Sequence, residues 1–285
     1  MAPICNQRRI ILYKNILNLY PIEVKKYILS RTLDHQSYIP DITTVLRLSK
    51  DKKVDTYLWF DLYKTEDIFS FIPPKFKTFV KEFILKADII IVGTDVTGYY
   101  HEFFLEFNNK KINIINDIIK AMQQYFSCDV TNIINEVNQV KGFLDQKNYF
   151  MCGIKYTKHN IEEFKFYFNV NKKELSLIEM PKYFSQLLNK FSVREFRGEK
   201  SYIIGCNGEI VSKIGWMVNC NFLPNFVLLI KTLNNLSWTK PLIEKLNFYA
   251  NKKYASFLRW GWFSYLYSNN NIQAINIMLN YNDGT

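Results

Sequence analysis

The chain has 285 residues, of which 48% are hydrophobic and 16% aromatic, and its 37 basic and 26 acidic side chains leave a formal charge of +11. This length and apolar content favour one large domain with a substantial core, and no run of about 18 apolar residues suggests a membrane span. The positive balance favours an anionic partner, but the lysines are dispersed and form no long basic block of the kind that binds nucleic acid.

The cysteines and histidines indicate neither a disulfide-bonded protein nor a zinc protein. Five cysteines without C-x-x-C spacing predict free thiols and a reducing, cytoplasmic location. Three isolated histidines argue against a structural zinc site.

The hydrophobic pattern predicts an N-terminal helical segment over residues 1–40, followed by a repeated unit over residues 41–285, all within one domain. Pairs of extended runs joined by polar turns occupy residues 41–63, 87–107, 151–170, 201–219 and 255–281. Asn207-Gly208, at the turn of the fourth pair, is a strong hairpin signal. Helical periodicity fills the intervals, at residues 76–84, 115–144, 184–191 and 226–250.

Five hairpins separated by helices form an internal α-β-β-α repeat. Consecutive hairpins can join into one antiparallel meander of ten strands, and helices on one face allow such a sheet to close into a barrel with a lumen. The fold class predicted is therefore α+β, with a closed ten-stranded barrel inside its helices, and an open-sheet sandwich is the alternative. In the run 161–170, alternation would turn Phe164, Phe166 and Phe168 towards the helices, and Lys165 and Tyr167 into the lumen.

This arrangement resembles the ABBA-type aromatic prenyltransferases, and among them the cyanobactin (ribosomal peptide) prenyltransferases most. The resemblance rests on the stretches VGTDVTGYYHEFFLEF, CGIKYTKHNIEEFKFYF, KSYIIGCNGEIVSKIGWMVN and FLRWGWFSYLYSNNNIQAINIMLNY. It implies transfer of a dimethylallyl or geranyl group from an isoprenoid diphosphate to a side chain of a peptide or cyclic peptide. It also implies Mg²⁺ bound through the diphosphate.

The resemblance also implies site residues. Lys165 and Tyr167 match the Lys-x-Tyr strand pattern that holds diphosphate in relatives. Lys213 lies at the corresponding position of the next hairpin. Gly215 departs from that pattern, which would have Tyr there, and Arg47 is the remaining diphosphate ligand expected. Asp41 matches the acidic general base of relatives, although after Pro40 it fits a cap or turn equally well.

An allylic cation needs an aromatic wall, since ring faces attract a cation and exclude water. Alternation predicts that Tyr57, Trp59 and Phe104 point inward. In the last hairpin Phe263 and Tyr265 are assigned to the same prenyl site, although alternation alone leaves open whether their face or the tryptophan face points inward.

The second hairpin departs from the peptide-modifying relatives, which carry basic residues where this chain has Glu102 and Glu106. Two inward carboxylates would suit a cationic acceptor, so an arginine guanidinium in a peptide is the leading expectation. Three alternatives stay open at this point. They are transfer to a small free aromatic or amino acid, a non-catalytic basic module for nucleic acid or another anion, and a barrel that has lost catalysis.

Overall fold

Ten strands make up the centre of the molecule and close on themselves. The computed structural model describes residues 42–49, 54–62, 72–108, 112–139, 149–171, 180–189, 198–218, 223–249, 258–268 and 271–281, together with positions 18, 22, 25 and 26. The strands are β1 (Ile42–Ser49), β2 (Asp55–Leu62), β3 (Ile89–Asp95), β4 (His101–Asn108), β5 (Tyr149–Tyr156), β6 (Ile161–Val170), β7 (Gly198–Gly205), β8 (Ile210–Val218), β9 (Leu258–Ser268) and β10 (Asn271–Tyr281).

Every strand pairs antiparallel with its neighbours in sequence, and β10 pairs with β1 over eight residues from Ile42–Tyr281 to Ser49–Ala274. The predicted ten-stranded closed barrel is therefore confirmed, and the open sheet is excluded. The division into a helical segment 1–40 and a barrel stays a prediction, because most of that segment lies outside the described residues. No described helix is long and apolar enough to cross a membrane.

Among the described residues, six helices lie between successive hairpins: α1 (Lys77–Phe83), α2 (Ile112–Phe126), α3 (Thr131–Gln139), α4 (Lys182–Asn189), α5 (Leu223–Leu233) and α6 (Lys240–Tyr249). Short 3₁₀ turns occupy Pro74–Phe76, Ile84–Lys86 and Ser237–Thr239. The predicted helical stretch 115–144 is interrupted between α2 and α3. Ser127 has a φ of 49° there, and the Asp129 carboxylate accepts the Thr131 backbone N–H at 2.9 Å, which starts the next helix.

The main hydrophobic core lies between the outer face of the barrel and the helices. Phe164 on β6 is fully buried, with ring centroids 4.3 Å from Phe126 on α2 and 5.6 Å from Phe76. Phe166 and Phe168 belong to the same cluster. The outward orientation predicted for this aromatic stripe is confirmed, so the alternate side chains of β6 must face the lumen.

Candidate functional site inside the barrel

A fully buried carboxylate, Glu102 on β4, is the centre of the lumen. The Arg47 guanidinium donates to both of its oxygens, at 2.7 and 3.1 Å, and Lys165 Nζ donates to Oε1 at 2.5 Å. The Trp59 indole N–H donates to Oε2 at 2.6 Å. Burial would raise the pKa of Glu102, but the charges and hydrogen bonds of Arg47 and Lys165 outweigh it and lower the pKa to about 2. Glu102 is therefore ionised and orders two cations from two other strands.

A second carboxylate, Glu163 on β6, extends this charge network. It lies 3.2 Å from Lys165 Nζ and 4.0 Å from Lys155 Nζ. Burial would raise its pKa, but the two lysines outweigh burial and bring the pKa to about 2. Lys155 also lies over the Tyr100 ring, 4.3 Å from its centroid. The pKa of Lys155 is lowered, first by burial and then by the charge of Lys165.

A cavity of about 170 Å³ lies against this network, near the end of β1 and the start of β2. Its charged and polar lining comes from seven of the ten strands: Arg47, Ser49, Asp55, Tyr57, Lys155, Glu163, Lys165, Tyr167, Ser201, Lys213 and Asn276. Four cationic side chains therefore meet two carboxylates in the lining, with Glu102 behind them. All four predicted diphosphate ligands, Arg47, Lys165, Tyr167 and Lys213, line this one cavity.

The charge of Lys213, one of the lining cations, depends on its buried position. Burial lowers its pKa to about 7, and the positive charges of Arg47 and Lys165 act in the same direction. An anion in the cavity would favour the charged form and so draw a proton onto Lys213. Binding of an anion would therefore increase the positive charge of the cavity lining.

An aromatic wall borders the cavity. Tyr57, Trp59, Phe104 and Tyr167 form a separate lumen cluster together with Val45, Met151 and Met278. Ring centroids are 4.7 Å apart for Trp59 and Phe104, and 5.9 Å apart for Phe104 and Tyr167. Arg47 lies 4.3 Å over the Tyr57 ring, so cation and wall are in contact. The predicted inward orientation of Tyr57, Trp59 and Phe104 is confirmed.

Glycines make room for the wall. A Cβ atom on Gly93 would come within 2.3 Å of Trp59 Cδ1, and one on Gly153 within 2.2 Å of Phe104 Cδ1. Both distances are shorter than any real contact, so each ring fills the volume that a side chain on the neighbouring strand would need.

Two prenyl-site assignments are wrong. Phe263 and Tyr265 lie on the outer face of β9, where Phe184 of α4 contacts both, at centroid distances of 5.0 and 4.7 Å. The opposite face of β9 is the inward one, and it places Trp262 against the lumen cluster. Periodicity shows that a strand has two aromatic faces, but only packing decides which of them meets a helix.

The acceptor assignments also change. Glu102 was predicted to hold a cationic acceptor, but its oxygens already accept four hydrogen bonds from the chain's own Arg47, Lys165 and Trp59. Glu106 lies four residues further along β4, outside the cavity lining, and accepts a hydrogen bond from the Asn108 side-chain amide at 3.1 Å. Burial raises the pKa of Glu106. The two carboxylates thus form no common fork, and Asp41 lies outside the described residues.

Sequence reasoning gave no role to Lys155, Glu163, Ser201, Asn276 or Glu199. Glu163 is on the same face of β6 as Lys165, and the hairpin register places Lys155 opposite Glu163. The strand register could therefore have predicted this pair. Glu199 is opposite Asn169 and Gly215 on the lumen face of β7 and had no such signal. Among the described residues, no group of three or more His, Cys, Asp or Glu is arranged to hold a metal ion.

Three solved structures are similar to this chain over most of its length. NotF in complex with brevianamide F and DMSPP has a TM-score of 0.57 and 11% identity, covering 98% of this chain and 94% of its own. NotF prenyltransferase has a TM-score of 0.57 and 14% identity, covering 88% and 82%. AnaPT from Neosartorya fischeri has a TM-score of 0.53 and 12% identity, covering 86% and 78%.

The chain has the ABBA prenyltransferase fold. At such identities the likeness establishes the fold, and the chemistry must be argued from the lumen itself. No protein-family model matches the sequence, and no curated protein matches it. The cyanobactin-type assignment stays a prediction.

Proposed function

We propose that the protein is a prenyltransferase that takes its dimethylallyl or geranyl group from an isoprenoid diphosphate. The observation that supports this most is the meeting of Arg47, Lys165, Lys213 and Tyr167 in one cavity that is bordered by an aromatic wall. A diphosphate leaving group needs fixed cationic and hydroxyl donors, and an allylic cation needs ring faces and exclusion of water. The same small volume offers both.

In the proposed reaction the allylic C–O bond breaks and its electron pair leaves with the diphosphate. Lys213, Lys165 and Arg47 stabilise the charge that builds on the departing oxygen, and a neighbouring anion favours the charged form of Lys213. Trp59, Phe104 and Tyr57 line the path of the allylic carbon. A nucleophilic atom of the acceptor then bonds to that carbon and gives up its proton.

Mg²⁺ belongs to this proposal only as a counter-ion of the diphosphate. Without a cluster of protein ligands among the described residues, the ion would be carried by the phosphate oxygens, with Glu163 as the lining carboxylate within the cationic network. When bound it would neutralise part of the leaving group's charge. All other roles in the proposed reaction are assigned to side chains of the protein.

The acceptor proposed here is a small, uncharged aromatic or amino-acid-like compound, rather than the peptide arginine expected from sequence. The arginine expectation depended on free carboxylates at Glu102 and Glu106, and Glu102 is saturated by internal donors. The lining also holds four cations against two carboxylates, and this excess of positive charge disfavours a guanidinium.

A non-catalytic anion-binding barrel is the second candidate, and one observation favours it. Glu102 and Glu163 together engage three of the four lining cations, so less positive charge is left for a ligand than the sequence suggests. Such a protein would bind diphosphate without breaking the C–O bond.

An intact-mass assay separates the candidates. Protein is incubated with Mg²⁺, dimethylallyl or geranyl diphosphate, and a pool of free amino-acid amides and peptides containing Trp, Tyr, His, Ser and Arg. A prenyl mass shift on one acceptor is expected. It should fall strongly in Lys213→Met and stay unchanged in Lys200→Met, since Lys200 is on the outer face of β7 and pairs with Glu136. Binding of inorganic pyrophosphate without any mass shift would favour the second candidate. If the protein shows no mass shift and does not bind pyrophosphate, both candidates are overturned.

A further inference from the structure

Two carboxylates share the Lys165 ammonium in the lumen, and they differ in how firmly they are held. Glu102 is fully buried and accepts four hydrogen bonds from side chains of the barrel. The side chain of Glu163 is 31% exposed, and its Oε2 lies 3.2 Å from Lys165 Nζ. A carboxylate with access to water can exchange a protein cation for solvent at little cost, whereas a fully buried one cannot. Glu163 is therefore the carboxylate that a ligand can displace.

Glu163 lies on the solvent side of the cationic network. It is the third residue of β6, close to the turn that joins β5 to β6, and Lys165 is two residues further along the same face. Lys165 is only 2% exposed, and Lys155, opposite Glu163 in the strand register, has its Nζ 4.0 Å from Glu163 Oε1. In an antiparallel barrel the end of β1 and the starts of β2 and β6 lie at the same end, which is where the cavity lies. An anion that enters the cavity from this end meets Glu163 before it reaches Lys165.

Glu163 already acts as an anion within the cavity lining. Burial would raise its pKa, but the charges of Lys165, Lys155 and Arg47 lower that pKa to about 2, so the side chain is ionised at neutral pH. Burial lowers the pKa of Lys213, and the charge of Glu163 acts against that shift. All four lining cations therefore interact with the Glu163 carboxylate, and they are the cations that a diphosphate would need.

The proposed reaction leaves inorganic diphosphate among these cations. Several fixed cations hold a small polyanion strongly, and the next turnover requires the product to dissociate. Product release is the slow step of many enzymes. An ionised carboxylate beside the same cations repels the bound product and takes its place on Lys165 as it departs.

We propose that Glu163 is a displaceable internal anion that speeds the release of diphosphate. It pairs with Lys165 and Lys155 in the free protein, turns towards solvent when the diphosphate of the donor binds, and returns to the lysines as inorganic diphosphate leaves. The inference rests on the proposed prenyl transfer. A different role, in which Glu163 only positions Lys165 for the ligand, requires the opposite change in affinity when the carboxylate is removed.

The test compares Glu163→Gln, which removes the charge and keeps the shape, with Glu163→Asp, which keeps the charge. Glu136→Gln is the control, because that carboxylate pairs with Lys200 on the outer face of β7. The probe is inorganic pyrophosphate. Its Kd is measured by calorimetry and its dissociation rate by stopped-flow tryptophan fluorescence, both without Mg²⁺ so that the metal ion has no part in the result.

For Glu163→Gln, we expect the Kd of pyrophosphate to fall about 10- to 100-fold, mainly through slower dissociation, because a like charge beside the bound anion is removed. The Kd of Glu163→Asp should lie closer to that of the wild type than to that of Glu163→Gln, and Glu136→Gln should match the wild type within about twofold.

Prolonged binding of the product should also appear in turnover. With saturating Mg²⁺, dimethylallyl diphosphate and N-acetyl-tryptophan amide, the single-turnover rate of Glu163→Gln should stay within about threefold of the wild type, since the bond-forming step does not use Glu163. The multiple-turnover rate should fall at least about fivefold, because product release becomes limiting.

Unchanged or weaker pyrophosphate binding by Glu163→Gln would overturn the inference while leaving the proposed function intact. Equal tightening in Glu163→Asp would also overturn it, because the charge would then not be the cause, and so would an unchanged multiple-turnover rate. If the wild type transfers no prenyl group to any acceptor, the proposed function fails. Tighter pyrophosphate binding by Glu163→Gln alone would then still retain Glu163 as the displaceable anion of the cavity, and absence of binding in both proteins would overturn that too.

Discussion

Replacing Glu102 by Gln tests the charge network that the lumen is built around. The variant keeps the shape of the side chain but leaves Arg47 and Lys165 without their shared carboxylate. The ordinary pKa of 4.5 is lowered to about 2 in the folded protein. This difference corresponds to about 3 kcal/mol, because a tenfold change in proton affinity is worth about 1.4 kcal/mol. Breaking a buried ion pair typically costs about 3–5 kcal/mol, which agrees.

The sign of the pH dependence follows from the direction of the pKa change. A carboxyl with a lowered pKa stabilises the folded protein above about pH 4.5, and that contribution is lost as the pH falls towards 2. We therefore expect Glu102→Gln to have a free energy of unfolding about 3 kcal/mol below the wild type near pH 7, with the gap closing near pH 2.

Urea unfolding followed by tryptophan fluorescence at several pH values measures this gap. Glu136→Gln is the control, since its exposed pair with Lys200 should be worth less than about 1 kcal/mol. Equal stabilities near neutral pH would refute the reasoning, and so would a deficit that persists unchanged in acid. Pyrophosphate should also stabilise Glu102→Gln more than the wild type, because an anion can replace the missing carboxylate.

Three further outcomes are expected. Phe164→Ala should lower the free energy of unfolding by about 3–5 kcal/mol, because it empties a buried site against Phe126, and a urea titration showing a loss below about 1 kcal/mol would contradict that packing. Gly153→Ala should lose about 1–3 kcal/mol and lower Tm, since its Cβ would overlap the Phe104 ring, and an unchanged Tm would show a looser wall. Raising the pH through 7 should weaken pyrophosphate binding more in the wild type than in Lys213→Met, because Lys213 loses its proton near that pH; calorimetry with parallel pH profiles would argue against this role.

Most strands of the barrel could be predicted because each hairpin is marked by a pattern within a short stretch of sequence. Period-two alternation and polar turns marked all five hairpins, and the Asn207-Gly208 turn appears as predicted, with Gly208 at a φ of 78°. The break at Ser127 was missed because both flanking helices keep their apolar period, so the pattern alone gives no reason to stop.

Several residues of the site could be predicted from the sequence, but the side chains that they contact could not. Alternation from a single anchored strand placed Lys165, Tyr167 and Trp59 inside the lumen. The pairing of Glu102 with Arg47 and Lys165 spans 55 and 63 residues, and no local pattern carries contacts at such separations. The acceptor expected from sequence assumed that Glu102 was available, and the internal hydrogen bonds of Glu102 remove that support.

The pairing of β10 with β1 has a consequence for how the molecule is made. During synthesis β1 cannot pair with β10 until residues 271–281 have left the ribosome. Arg47 and Asn276 are opposite each other in this strand pair, so they come together only at that point. Both residues line the anion cavity. Contacts of such long range are slow to form, so the cavity should be among the last parts of the protein to be completed. A nascent chain stalled before β9 would expose the edges of β1 and β8 to other strands, and chaperone dependence should be greatest at that stage of synthesis.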